Sequence, residues 1–396
     1  MRHRSRSSDV RPRACTLAHF LFAVAGASLV SVGCGARTGA LLALDAGAEV
    51  MTDASATDHG CWRTSPGSRS VHPVDVEATF DALELVLLVE ATGSHAPEVR
   101  ALQRDFDESV VSYLRSAPVD STTRVVAFSD VWTYGAGSLG YVQLTRADTS
   151  VARAIDAVTR LELEDGGDEP EAQVYALRRI ALDAPSPWCA AMATGAECLG
   201  ERGMRLVVLV TDSSFHNGPG GSSPYVLPPG SPWETPTFDE ILRSLEARRI
   251  RVTGVTSGDG LALEHVVALA RGTQAIDAET DDALVARVPA SGVGIGTAVV
   301  GAITSALERS PLSVTLHARS DGMALSSPLP LSIVDGLGRA SERGFDGVLP
   351  GSILRFAVAL DVPAEALPGT RFDIDLDLVD GDVSIVRTVS ACALVE

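Results

Sequence analysis

The 396-residue chain has no lysine: its 32 basic residues are all arginine, and 51 acids outnumber them, for a formal charge of −19 at pH 7. Affinity for nucleic acid rests on Lys and Arg contacts to phosphate, so this balance argues against a nucleic-acid partner. Asparagine occurs only at Asn217, a bias that speaks of base composition and not of function. Long apolar runs are also scarce. The run from Leu17 to Val32 is too short and one-sided for a convincing spanning helix. What is present is a chain with 45% hydrophobic residues, enough to bury real cores over two domains or more.

The apolar run follows an Arg-rich start (Arg2, Arg4, Arg6, Arg11, Arg13) and ends at Gly33-Cys34, so residues 1–33 read as a lipoprotein-type signal peptide. "SVGC" resembles a bacterial lipobox with Ser31 where Leu is preferred, which makes Cys34 the expected lipidation site. Cleavage after Ala25–Ala27 is the alternative. The expected location is the cell envelope, as an outer-membrane lipoprotein facing the periplasm or the cell surface, with secretion as the other option. Of the six cysteines, Cys15 leaves with the signal and Cys34 takes the lipid. Cys61, Cys189, Cys198 and Cys392 remain, an even number in an oxidising compartment. Cys189 and Cys198 share one loop and most simply pair, leaving Cys61 for Cys392. A half zinc site at Cys189 and Cys198 is the rival, with no His or further Cys nearby.

Residues 34–60 carry no apolar periodicity and read as a flexible tether, and 61–80 as a segment leading into the fold. From 81 to 309, buried strands such as "LELVLLVE" and "MRLVVLVTD" alternate with amphipathic helices. The first helix spans Pro97 to Ala117 on Val99, Leu102, Phe106, Val110 and Leu114. "QAIDAE" reads as a late strand before the last helix. Unbroken Val and Leu strands between helices predict an α/β fold with a doubly wound parallel sheet. Residues 310–396 switch to a period of two and predict a C-terminal antiparallel β-sandwich, with Asp380-Gly381 as a hairpin turn.

Ligands of such sheets bind beyond the carboxyl ends of the strands. Acids stand there: Glu90 leaves the first strand with Thr92 and Ser94 at alternate positions, Asp212 ends "LVTD", and Glu171 opens a helix in "DEPEA". "EATGS" resembles the D-x-S/T-x-S motif of von Willebrand factor A-type domains. "DEPEA" and "LVTDSSFH" resemble the D-S-P-E-G and T-D-A-x-F-H segments of the integrin beta-subunit version, and "FSDVWTYG" a stretch of bacterial relatives. The resemblance covers about residues 81–309, with the motifs in order. It implies a metal-ion-dependent adhesion site formed by Glu90, Thr92, Ser94, Glu171 and Asp212. Such a site holds Mg²⁺, or Mn²⁺ or Ca²⁺, and grips a carboxylate on a protein ligand. The family has Asp where this chain has Glu90. A second ion would need two acids at Pro97 and Glu98, where one is missing.

Other motifs carry less. "GVGIGTAVVG" (Gly292 to Gly301) lacks the strand a nucleotide site requires and falls where the last helix begins, so no nucleotide is expected. "AGSLG" around Ser138 lacks the helix of a nucleophile elbow. Asp212, Ser213 and His216 hold the letters of a hydrolase triad in adjacency, which is no support for one. Asp373, Asp375 and Asp377 imitate a calcium loop but alternate with an apolar face. Asp130 and Asp168 read as loop acids that could stand behind a cation. Loops 184–203 and 216–236, with Trp188, Tyr225 and Trp233, are candidate specificity surfaces. The expectation is a metal-dependent binding module without chemical turnover, anchored to the membrane through its lipid. A metal-free structural envelope protein is the alternative.

Overall fold

The computed structural model describes residues 60–130, 142–145, 151–163, 169–182, 202–225 and 235–396. The chain enters as two strands, β1 (Trp62–Thr64) and β2 (Arg69–Glu77). It then builds an α/β unit from β3 (Ala82–Glu90), α1 (Ala96–Asp105), α2 (Ser112–Ser116), β4 (Asp120–Phe128), β5 (Val142–Gln143), α3 (Val151–Thr159) and α4 (Gln173–Leu182). The unit continues with β6 (Met204–Thr211), α5 (Phe238–Ala247), β7 (Ile250–Thr256), α6 (Leu261–Gly272), β8 (Val285–Arg287) and α7 (Ile295–Arg309). Strands β9 (Leu312–Ser320), β10 (Ala324–Leu325), β11 (Leu329–Asp335), β12 (Arg339–Ala340), β13 (Gly344–Val348), β14 (Ile353–Asp361), β15 (Arg371–Asp380) and β16 (Ser384–Val395) follow.

The α/β sheet has the order β5-β4-β3-β6-β7-β8, parallel except for the antiparallel edge strand β5. Its central strand explains itself from sequence. Leu83, Leu85, Leu87 and Val89 point to one face, where Val99, Leu102 and Phe106 of α1, Ala154 and Val158 of α3, and Val299 and Ile303 of α7 cover them. Val86 and Leu88 point to the other, under Leu177 and Ile180 of α4, Ile241 and Leu245 of α5, and Val266 and Leu269 of α6. Each such side chain, fully buried, contributes about 1.5–3 kcal/mol, which is why no polar residue interrupts Leu85–Val89. Three helices on each face make the sheet doubly wound.

Two local readings change. The first helix is not uniform: α1 passes through a single π turn at Asp107–Val111 before α2. "QAIDAE" is not a strand, because the Asp277 carboxylate accepts from the N–H groups of Glu279 (2.9 Å) and Thr280 (3.3 Å) and folds the segment into a turn. The strand there is β8, further on.

The β region consists of two sheets, one ordered β1-β16-β15-β9-β13-β12 and one in which β14 pairs with β2, β10 and β11. Residues 61–80, read from sequence as a lead-in, supply two of these strands: β1 lies parallel to β16, and β2 pairs antiparallel with β14 over nine residues from Arg69↔Asp361 to Glu77↔Ile353. The α/β unit is therefore inserted between two parts of the two-sheet β region. Cys61 and Cys392 form a disulfide beside β1. Asp380-Gly381 turns the β15–β16 hairpin, with Gly381 and Asp382 at φ 59° and 58°. Phe372, Ile374, Leu376 and Leu378 face the core. Asp377, on the opposite face, is itself buried, paired with Arg319 at 2.5 Å and accepting from Thr388 Oγ1 at 2.7 Å, so it is no calcium ligand.

Candidate metal centre at the switch point of the sheet

In this strand order the topology reverses between β3 and β6, and the crevice beyond their carboxyl ends is where open α/β sheets bind ligands. β3 delivers Glu90 there and β6 delivers Thr211, followed by Asp212 and Ser213. Glu90 is fully buried, and four donors meet its carboxylate. Oε1 accepts from Thr92 Oγ1 at 2.6 Å and from Ser213 Oγ at 3.1 Å. Oε2 accepts from Thr211 Oγ1 and, at 3.4 Å, from the Asp212 N–H. Burial pushes the Glu90 carboxyl above its ordinary range; Asp212 pushes the same way, against His95 and the Thr211 and Thr92 hydroxyls, which pull it down.

Proton bookkeeping fixes the directions. The one hydroxyl proton of Thr92 goes to Glu90, so across the 3.0 Å contact with Ser94 it is Ser94 that donates. Ser213 Oγ lies 3.1 Å from Glu90 and 3.0 Å from Asp212 Oδ1 and can serve only one acid at a time. The hydroxyls of Thr92, Ser94 and Ser213 thus turn their protons inward and keep lone pairs for another partner. Behind them, His95 Nδ1 donates to the Glu90 carbonyl at 2.9 Å, tying the start of α1 to the end of β3. Gly258, after β7, packs so close that a Cβ there would lie 2.3 Å from the Asp212 carbonyl oxygen. Glycine is required by this approach.

Of the five residues expected at the site, Glu90, Thr92, Ser94 and Asp212 join one hydrogen-bonded cluster. Glu171 is buried and reaches it through the main chain: its N–H donates to Ser214 O at 3.0 Å, and its carbonyl accepts from His216 N at 2.9 Å. Thr211, Ser213 and Gln173 belong to the cluster without having been expected. Their signal was faint, a hydroxyl closing an otherwise apolar strand and an amide two residues after Glu171. Glu98, the acid of the incomplete second site, is buried and accepts from Ser257 Oγ at 2.6 Å. Ser213 Oγ lies within reach of the two carboxylates, while His216 Nδ1 donates to Ser223 O at 3.1 Å and its ring stacks on Tyr225 at 4.0 Å. Tyr225 in turn donates to Asp130 Oδ1 at 3.2 Å. Cys34, Cys189, Cys198, Asp168, Trp188 and Trp233 lie outside the described residues.

The donor set is all oxygen, the chemistry of a hard divalent cation. Among the described residues no three His, Cys, Asp or Glu side chains converge to hold an ion. The set fits a cation with the hydroxyls of Thr92 and Ser94 and the Asp212 carboxylate as ligands, Glu90 behind them accepting the Thr92 proton and Thr92 accepting that of Ser94.

No known family model matches the chain, and no curated protein matches it. Among solved structures it is similar to proximal thread matrix protein 1 of the mussel byssus, in a second crystal form, at 11% identity and a TM-score of 0.37 over 59% of this chain. The same protein with a zinc-occupied MIDAS motif gives 11% identity and a TM-score of 0.38. The chain spans about half the length of these neighbours, 48%. The likeness is coarse, and the reading of the site stands on its own geometry.

Proposed function

We propose that this chain is a binding module of the von Willebrand factor A type that takes a divalent cation, Mg²⁺ or its Mn²⁺ and Ca²⁺ relatives, at the switch-point crevice. Through it the module grips a carboxylate on a protein partner at the cell envelope, held there by a lipid on Cys34, without chemical turnover. The observation that carries this reading is the buried Glu90 carboxylate ringed by inward-donating hydroxyls with no Arg pairing it among the described residues. Thr92, Ser94 and Asp212 would hold the ion, and the resemblance adds Glu171. When bound, the cation supplies a positive centre whose waters a carboxylate can replace. Hydroxyl ligands leave that positive charge largely uncancelled, which favours an acidic ligand. The chain's own residues orient the hydroxyls and, at Gly258, hold the Asp212 main chain in place.

One observation favours the metal-free structural reading: Glu90 reaches four internal donors, so the ring closes on itself. Calorimetric titration of the mature protein with Mg²⁺ and Mn²⁺ separates the two. Saturable binding together with a raised melting temperature is expected. No heat and an unchanged melt in millimolar ion would leave the structural reading in place.

A further inference from the structure

The hydroxyl ring depends on an uncharged residue outside the strand-end motifs. Gln173, the first residue of α4, is fully buried. Its Nε2 lies 3.0 Å from Thr211 Oγ1 and 3.2 Å from the Ser213 carbonyl oxygen. A carbonyl only accepts, so the amide nitrogen must face it and the reversed carboxamide is excluded. Both amide protons are then used. Thr211 Oγ1 accepts from Gln173 and, at 3.3 Å, from the Ser213 N–H. With both lone pairs engaged, its single proton has one destination, Glu90 Oε2. Gln173 Oε1 meanwhile is buried without a hydrogen-bond partner among the described residues. Leaving a buried acceptor unpaired is costly, so the two donated bonds are what offset that cost and fix the orientation of the amide.

We infer that Gln173 is a positioning residue of the cation site: its amide fixes the Thr211 proton on Glu90 and anchors the turn that presents Asp212. This rests on the reading of the crevice as a cation site. With Oε2 served by Thr211, Glu90 Oε1 takes the Thr92 proton, Ser94 donates to Thr92, and the Ser213 proton remains to be shared with Asp212. Without the amide, a lone pair of the Thr211 hydroxyl is freed, its proton is no longer confined to Glu90, and the turn loses its tie to α4.

The test uses the mature protein with Gln173→Met, which keeps length and loses the donors, Gln173→Glu, which keeps shape and replaces donors by acceptors, and Thr211→Val. Mg²⁺ affinity is measured by calorimetry. In chelator, solvent exchange of the Thr211 hydroxyl proton is followed by NMR on threonine-labelled protein, the resonance being assigned by its loss in Thr211→Val. Both Gln173 variants should bind Mg²⁺ tenfold or more weakly, the range for residues that orient ligands. Adding Thr211→Val should cost little more, and the hydroxyl proton, protected in the wild type, should exchange rapidly. Wild-type Mg²⁺ affinity at a lowered melting temperature would reduce Gln173 to a packing residue and overturn the proposal. If the wild type takes up no Mg²⁺, the cation reading fails, and the chelator arm decides for Gln173 alone: lost protection sustains its orienting role, and unchanged protection ends it. Should Gln173→Met fail to fold, Gln173→Glu carries both measurements.

Discussion

Two buried acids stand at opposite ends of the same parallel sheet and are treated in opposite ways. Asp380, under the amino ends of the strands, is 1% exposed and pairs with Arg251, 4% exposed, at 2.9 Å. Arg251 also donates to Pro311 O at 2.8 Å, and Asp380 Oδ1 accepts from the Ser313 N–H at 3.0 Å. That charge is cancelled where the α/β unit meets the β layer. Glu90, at the carboxyl ends, has hydroxyls and one N–H instead of an Arg. Hydroxyls satisfy a carboxylate's lone pairs without neutralising it. The first arrangement is a joint, while the second leaves negative charge at a crevice where a cation can use it.

The joint should give the largest effect when broken. Arg251→Ala leaves Asp380 buried and unpaired, which typically costs about 3–5 kcal/mol. Arg251→Met combined with Asp380→Leu should cost far less, because it removes both charges together. Denaturant melts of the wild type and the two variants read this. A double variant as unstable as Arg251→Ala would mean that the pair is needed for its geometry and not to balance charge.

Next comes the Cys61–Cys392 bridge, which closes a separation of 331 residues and holds the three-residue β1 against β16. Loss of such a disulfide costs about 2–5 kcal/mol. Reduction, or Cys61→Ala with Cys392→Ala, should lower the melting temperature and leave Mg²⁺ affinity unchanged, since the bridge sits in the β layer and the crevice at the far edge of the sheet. A fall in ion affinity would show that the two ends communicate.

At the site, an ion that binds only the folded state stabilises it by about 2.7 kcal/mol at a hundredfold excess over Kd. Asp212→Ala should abolish that gain and keep the fold, the residue lying half-buried beyond the strand. Glu90→Asp sharpens the contrast. The shorter side chain retreats from Thr211 and Ser213, so weaker Mg²⁺ binding is expected if the ring is built around Glu. Tighter binding would mean that Glu90 fills space the ion wants. Equal melts of all three proteins in ion and in chelator would remove the ion from the comparison.

How much of this was legible follows from where the information lies. Strand β3 was readable because Leu85–Val89 must be apolar on both faces, and the crevice because the acids follow such strands at once. The ring of donors was not. Gln173 and Thr211 become partners only when α4 and β6 are placed side by side, 38 positions apart in the chain. The membership of β1 and β2 in the β layer was equally hidden, since their partners lie beyond the inserted α/β unit. "QAIDAE" misled because its alternation is real, while the Asp277 carboxylate competes for the N–H groups a strand would need.

The smallest effect concerns pH and a residue between the two ends. His265 on α6 is buried; its Nδ1 accepts from the Phe215 N–H at 2.9 Å, so Nε2 carries the proton toward Ser222 Oγ at 3.1 Å. Burial lowers its pKa, outweighing the opposite pull of Glu264. Protonation would put a second donor against the Phe215 N–H, beside the turn that begins at Asp212. With the folded pKa below the unfolded one, the unfolded state binds more protons, so stability is full above the ordinary imidazole value of about 6.5 and is lost as pH falls below it. His72, also lowered by burial, adds in the same sense, whereas the raised Glu90 carboxyl works in the other direction, losing stability as pH rises. In chelator, His265→Gln should melt lower than the wild type at about pH 7.5, and the gap should narrow at about pH 5.5, because only the wild type pays to keep that imidazole neutral. A gap of constant width would mean that the ring acts by shape alone.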